Sequence, residues 1–212
     1  MAPSHDKEAI YREVEAYYAG KLREHGATPR GVDWADAAGH RLRHEQFLHL
    51  LDRDLAASVA DLGCGYGDFL KFLRATGFRG PYVGYDLAQS MLDEAQRIHG
   101  LGPDRHWRRA AVPLSEADYV IASGIFNVRR HVDTKSWLQY ILDTIDAMGA
   151  MARKGLAFNL LTAHSDPERM RQDLYYGDPA FFLDHCARRF GRRVGLVQDY
   201  GLYEFTLWVR KG

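Results

Sequence analysis

Three glycines at alternate positions carry the first chemistry visible in this chain. Gly63, Gly65 and Gly67 sit in Val59-Ala60-Asp61-Leu62-Gly63-Cys64-Gly65-Tyr66-Gly67-Asp68-Phe69-Leu70, between a short apolar run and an apolar helical stretch. Glycine tolerates turns with positive φ and lets a ligand approach the backbone with no Cβ in the way. Asp61, two residues before the first glycine, can brace such a loop through backbone N–H groups or reach a ligand ammonium. Nineteen residues beyond Gly67, a second apolar run ends in Asp86. A carboxylate at that place accepts hydrogen bonds from two ribose hydroxyls, with Leu87 and Met91 available to flank an adenine. The loop therefore suits a nucleoside. It departs from the pyrophosphate fingerprint G-x-G-x-x-G, and Asp68 at the helix start would repel a pyrophosphate. A ligand without phosphate fits better.

The pattern D-x-G-C-G-x-G followed by an acidic strand end is similar to the first two motifs of class I S-adenosylmethionine (SAM)-dependent methyltransferases. The likeness extends through Asp118 to Ala122 and the last two apolar runs, covering most of the chain after Leu55. It implies SAM as cofactor, held by Asp61, Gly63, Cys64, Gly65, Gly67, Asp86, Leu87 and Met91, with Ser123 and Gly124 facing it. Many such enzymes place an acidic residue after the third strand for the adenine amino group. Here Arg108-Arg109-Ala110-Ala111-Val112-Pro113 has none, so backbone groups near Ala110 and Ala111 must serve. From other classes, the competing readings are an NAD(P)-dependent oxidoreductase and a SAM-binding protein without catalysis.

Methyl transfer from a sulfonium is an in-line displacement; the protein aligns the acceptor and, for a hydroxyl, removes a proton. In open α/β sheets those groups lie at the carboxyl ends of strands. One such region, Ser123 to His131, offers Asn127 and His131 toward an acceptor. A second, after Leu161, offers His164 with Asp166 as general base and Tyr175 and Tyr176 as a substrate wall, while Tyr203 and Glu204 border a third. The [DN]-P-P-[YF] sequence of nucleobase amino methyltransferases and the paired glutamates of protein arginine methyltransferases are missing, so methylation of RNA or protein is the alternative to a small polar acceptor. No metal is called for. The carboxylate and Asn cluster of catechol methyltransferases is not apparent, His44 and His49 fall on different helix faces, and His40 and His44, though on one face, have no third ligand in sequence.

These groups need a scaffold. Short apolar segments at Ser58 to Leu62, Pro81 to Tyr85, Asp118 to Ala122 and Gly155 to Leu161, with a weaker one at His106 to Ala110, alternate with helical stretches; the clearest runs from Trp137 to Met151 with apolar residues three to four apart. Such alternation predicts a doubly wound, mostly parallel sheet. Val194 to Asp199 and Tyr203 to Val209, separated only by Tyr200-Gly201-Leu202, predict an antiparallel terminal hairpin. Residues 1–54 read as a helical lid, from Asp6 to about Glu24 and again through Leu51, on a domain at residues 55–212, the whole forming one compact α/β unit. The segment Tyr17-Tyr18 to Trp34, with Asp173-Leu174-Tyr175-Tyr176 and Tyr200 to Phe205, also resembles uncharacterised bacterial methyltransferases of polysaccharide-type gene clusters. That likeness implies a lid with Tyr18 and Trp34 as its inner aromatics and a glycan-like acceptor.

Composition agrees with such a unit. The 212 residues are 46% hydrophobic, and 28 Lys+Arg balance 28 Asp+Glu, so net charge favours neither nucleic acid nor anionic membrane. The cluster Arg188, Arg189, Arg192 and Arg193 reads as a solvated helix end. No apolar run spans a membrane, the polar start has no secretory core, and two cysteines make no disulfide framework. A cytoplasmic protein, with homodimerisation open to it, is the expectation.

Overall fold

The computed structural model describes residues 7–212. Its first helix α1, Lys7–His25, leads through a 3-10 turn at Pro29–Val32 into α2, Ala37–Leu51. Asp36 caps α2 by accepting the Gly39 N–H at 2.7 Å. Then β1 (Val59–Leu62), α3 (Asp68–Ala75), β2 (Tyr82–Asp86), α4 (Gln89–His99) and β3 (Arg105–Arg109) follow. After β4 (Ala117–Ala122), Asp133 caps α5 (Thr134–Met151), which passes directly into β5 (Ala152–Thr162). A two-residue β6 (Tyr176–Gly177), α6 (Pro179–Phe190, with Asp178 as cap), β7 (Val194–Val197) and β8 (Glu204–Arg210) complete the chain. The α1 expectation began at Asp6, which lies outside the described residues.

The sheet runs β3-β2-β1-β4-β5-β8-β7, parallel from β3 through β5 and antiparallel at β8 and β7. This is the doubly wound sheet with a terminal hairpin that the patterns predict. The central strands β1, β4 and β5 are buried on both faces and divide by the two-residue period of a strand. Ala60, Leu62, Val120, Ala122, Leu156, Phe158 and Leu160 pack with Trp137, Ile141 and Ile145 of α5 and Phe182 of α6. Val59, Tyr119, Ile121 and Ala157 face the other way, against Phe47, Leu50 and Leu51 of α2 and Phe69 and Leu73 of α3. Thus α2 belongs to the core of the sheet as well as to the segment above the loop.

The largest departures from the sequence reading lie in β5, the hairpin and β6. β5 is 11 residues long, because its first turn pairs with Ala117 across a bulge and its end extends to Thr162 beside β6. Asp199 and Tyr203 belong to the hairpin turn and not to its strands. β6 adds a parallel pair, Leu161 with Tyr176 and Thr162 with Gly177, that two residues of sequence could not signal. Among the described residues no helix is long and apolar enough to cross a membrane.

Candidate active site

The glycine loop leaves the carboxyl end of β1 and is tied to the end of β2. The Tyr85 carbonyl accepts N–H groups from Gly63 (2.7 Å) and Cys64 (3.0 Å). Gly63, Gly65 and Gly67 all take positive φ (76°, 53° and 84°), and a Cβ on Gly63 would lie 2.1 Å from Ile125. The loop therefore demands glycine for conformation and for space. Asp86 closes it from β2: one carboxylate oxygen accepts the Gly65 N–H and the other the Ala88 N–H, each at 2.9 Å. Asp61 turns away from the loop backbone and accepts the Tyr82 hydroxyl at 2.5 Å. Of its two sequence-derived options, bracing the loop is thus replaced by an anchor within the sheet.

Over the loop lies a concave cavity, open to solvent at its mouth. Asp61, Gly63, Cys64, Gly65, Asp86, Leu87, Met91, Ala110, Ala111, Ser123 and Gly124 line it, as do Tyr18 and Trp34 from the N-terminal segment. Gly67 is the exception. It caps α3 behind the loop, where a Cβ would meet His99 and Trp107 at 2.8 Å. Ser123 presents a buried hydroxyl with no partner among the described residues, and Gly124 is held by its N–H donating to Asn159 at 2.7 Å.

Burial sets the electrostatics. Desolvation pushes Asp61 up to about 7, opposed by the Tyr82 hydroxyl, and Asp86 up to about 6, opposed by the N–H groups of Ala88 and Gly65. Two carboxylates with raised pKa in one apolar cavity are poised to gain from donors and positive charge on a ligand.

The N-terminal segment roofs the cavity. Trp34 lies on Gly124, where a Cβ would come within 2.4 Å of the indole, and the Arg43 guanidinium stacks over Trp34 at 3.8 Å. Arg43 also pairs with the buried Glu204 of β8 at 2.8 Å, so roof and hairpin are joined. Further out, Asp33 accepts from Tyr17 (2.7 Å) and pairs with Lys21 (2.8 Å), while Glu15 of α1 pairs with Arg109 of β3.

Sequence reasoning missed several lining residues: Val14, Val32, Tyr66, Phe69, Tyr140, His40 and His44. Tyr140 reads as one more core position of α5, and the two histidines as a pair lacking a third group. The structure supplies that group in Asp68. His40 Nδ1 and His44 Nδ1 lie 3.4 and 4.0 Å from the same Asp68 oxygen. Burial lowers His40 to about 4, against the attraction of Asp68, and His44 well below its ordinary value, so both rings are neutral at pH 7.

The acceptor-side candidates do not line this cavity. His164 is exposed beside Gln198, and Asp166 accepts the Tyr203 hydroxyl at 2.5 Å on the hairpin side. Pairing of β6 with β5 and the Ser165 bond to the Thr162 carbonyl turn this segment aside. His131 is exposed. Asn127 is buried and structural: its side chain accepts the Leu161 N–H and its carbonyl the Tyr175 N–H. Tyr175 packs into the core, and Tyr176 accepts the Arg171 N–H.

Comparison with known proteins matches residues 60–151 to a family described as a methyltransferase domain. A protein of Mycobacterium tuberculosis, Rv1506c, which carries a provisional methyltransferase name, is 47% identical over 156 residues, 73% of this chain and 93% of that protein. Among solved structures, magnesium protoporphyrin IX methyltransferase of Synechocystis PCC 6803 with bound S-adenosylhomocysteine (SAH) superposes with TM-score 0.68 at 16% identity, over 98% of this chain and 100% of that one. The N-methyltransferase NodS of Bradyrhizobium japonicum WM9 with SAH gives 0.64 at 15% identity, over 93% and 98%.

Proposed function

The chain belongs to the SAM-dependent methyltransferases, and we propose that it methylates an oxygen or nitrogen of a small polar molecule, such as a sugar derivative or natural product. The observation that carries this reading is the roof. Tyr18, Val32 and Trp34 close over the loop that carries Gly63 and Gly65, and leave a concave, roofed cavity of the form that small-molecule sites take. A flat or grooved surface for a polymer would need that roof absent.

SAM supplies a methyl group on a positively charged sulfur, which the acceptor attacks in line. The chain's own residues hold and shield that event. In the bound state Asp86 would receive the ribose hydroxyls, Asp61 would face the ammonium end, Leu87 and Met91 would flank the adenine, and backbone groups at Ala110 and Ala111 would take its edge. Ser123 and Gly124 border the reacting centre. Trp34 and Tyr18 exclude water there, which strengthens each polar contact inside. Nucleic acid is disfavoured as the acceptor by the surface: Arg188 pairs with Asp184, Arg189 with Asp146, and Arg193 with the Gly212 carbonyl.

The test is a search for the acceptor. The purified protein, given SAM and fractionated polar metabolites, should add one methyl group to a small compound, seen by mass spectrometry with matching SAH release. Methylation confined to RNA or protein fractions would overturn the small-molecule reading.

A further inference from the structure

Three groups in the cavity wall have no task in holding a nucleoside. His40 and His44 stand one turn apart on α2, only 5% and 2% exposed, and Asp68 opens α3 just after the glycine loop. One ligand atom from each lies within 4.8 Å of the others. The two Nδ1 atoms converge on a single carboxylate oxygen at 3.4 and 4.0 Å, and the imidazole centroids are 4.5 Å apart.

Those distances discriminate between two uses. A hydrogen-bonded His–Asp dyad would show one contact of about 2.7–2.9 Å. Neither approach is that short, and one oxygen faces both nitrogens. Ligands held about 2.0–2.1 Å from a tetrahedral zinc stand about 3.4 Å from one another. The His40–Asp68 separation is that of a coordination edge, and the other two, 4.0 Å and no more than 4.8 Å, are wider, so a bound ion would draw the His44 ring inward. We propose that His40, His44 and Asp68 form a binding site for one divalent cation of the zinc class, with an open position toward the cavity that takes an acceptor oxygen or water.

The surroundings fit a metal site. His44 is walled by Phe69 and Phe72 at ring distances of 5.1 and 5.4 Å, and His40 stands beside Trp34 at 6.1 Å, so packing fixes the rings. The nearby positive charge, Arg43, is balanced by Glu204 at 2.8 Å and stacked on Trp34. Two imidazoles and one carboxylate with an open position are also the ligand set of hydrolytic zinc centres. The cation site stands on geometry alone; only the acceptor in its open position rests on the methyltransferase reading, and it favours an acceptor with a hydroxyl.

The experiment titrates tag-free, chelator-stripped full-length protein with Co²⁺ and Zn²⁺, with SAH binding measured in parallel. Expected are one equivalent bound with visible cobalt d–d bands, and affinity reduced about tenfold or more in His40→Gln and Asp68→Asn. His164→Ala, outside the cavity, should leave metal affinity unchanged. Should a variant fail to fold, X-ray absorption of zinc-loaded wild type decides, with two imidazoles and oxygen expected at about 2.0–2.1 Å. No binding by wild type, sulfur in the shell, or affinity untouched in both folded variants would overturn the site. SAH binding without metal binding sinks this inference alone; metal binding without SAH binding would sink the cofactor reading instead.

Discussion

Replacing Asp86 by asparagine removes the charge at the end of β2 and keeps an acceptor for only one of the Gly65 and Ala88 N–H groups, which sit 2.9 Å from different carboxylate oxygens; the amide NH2 faces the other. In wild type, desolvation raises the folded pKa to about 6, above the ~3.9 of an unfolded aspartate. The folded state therefore binds the proton more tightly, and stability from this group falls as pH rises from ~3.9 through about 6. Above that window the ionised carboxylate opposes folding, so the deficit in melting temperature that Asp86→Asn incurs through its unmatched N–H should be smaller at pH 8 than at pH 4. Cofactor affinity runs the other way. Ribose hydroxyls donate to the ionised form, so loss of ionisation below pH 6 should weaken SAH binding by wild type about tenfold at pH 5 relative to pH 8 through this group. At pH 8 the variant should bind SAH about 10–150-fold more weakly, the ~1.5–3 kcal/mol of charged hydrogen bonding. Calorimetric titration with SAH between pH 5 and 8 measures both. A folded variant with wild-type affinity at pH 8, or with the wild-type pH slope, would refute the assignment of Asp86 to the ribose.

Further outcomes follow from the same geometry. Asp61, raised to about 7, should lose its proton when the ligand ammonium arrives, so the heat of SAH binding at pH 6.5 should depend on the buffer's ionisation enthalpy; buffer independence would remove Asp61 from that contact. Glu204→Gln leaves the partly buried Arg43 without its counter-charge and should lower stability in urea denaturation by up to about 3 kcal/mol, whereas an unchanged midpoint would show the pair to be idle. Gly63→Ala, forced into φ 76° with its Cβ 2.1 Å from Ile125, should abolish measurable SAH binding; retained affinity would mean the loop is free to move. His164→Ala should leave SAH affinity and turnover unchanged once an acceptor is known, and a large loss of turnover would place the acceptor beside β6 and outside the cavity.

What the sequence discloses and what it hides divide along a physical line. The glycine spacing, Asp86, the alternation of buried strands with helices and the short Tyr200 to Leu202 connection are local, and each constrains the backbone directly. They place β1, β2, β4, β5 and the hairpin within a few residues of their observed ends. The acceptor side is different because it is assembled across the fold. His164 does leave a strand's carboxyl end, as the rule for open sheets asks, but the pairing of Thr162 with Gly177 and the Tyr203–Asp166 bond carry it toward the hairpin. No local pattern announces a two-residue strand. Conversely, His40 and His44 show their shared face in the helical period, yet their third partner lies 24 residues past His44, beyond a strand and the glycine turn. Asp68 looks like a helix-start carboxylate whose one consequence is to repel phosphate. Only the packing of α2 against α3, driven by Phe47, Leu50, Phe69 and Leu73, brings the three together. The same apolar contacts that complete the core thus set the geometry of the cavity wall. A substitution that repacks this seam, such as Phe69→Leu, should therefore shift acceptor and metal binding while SAH contacts on Asp86 remain.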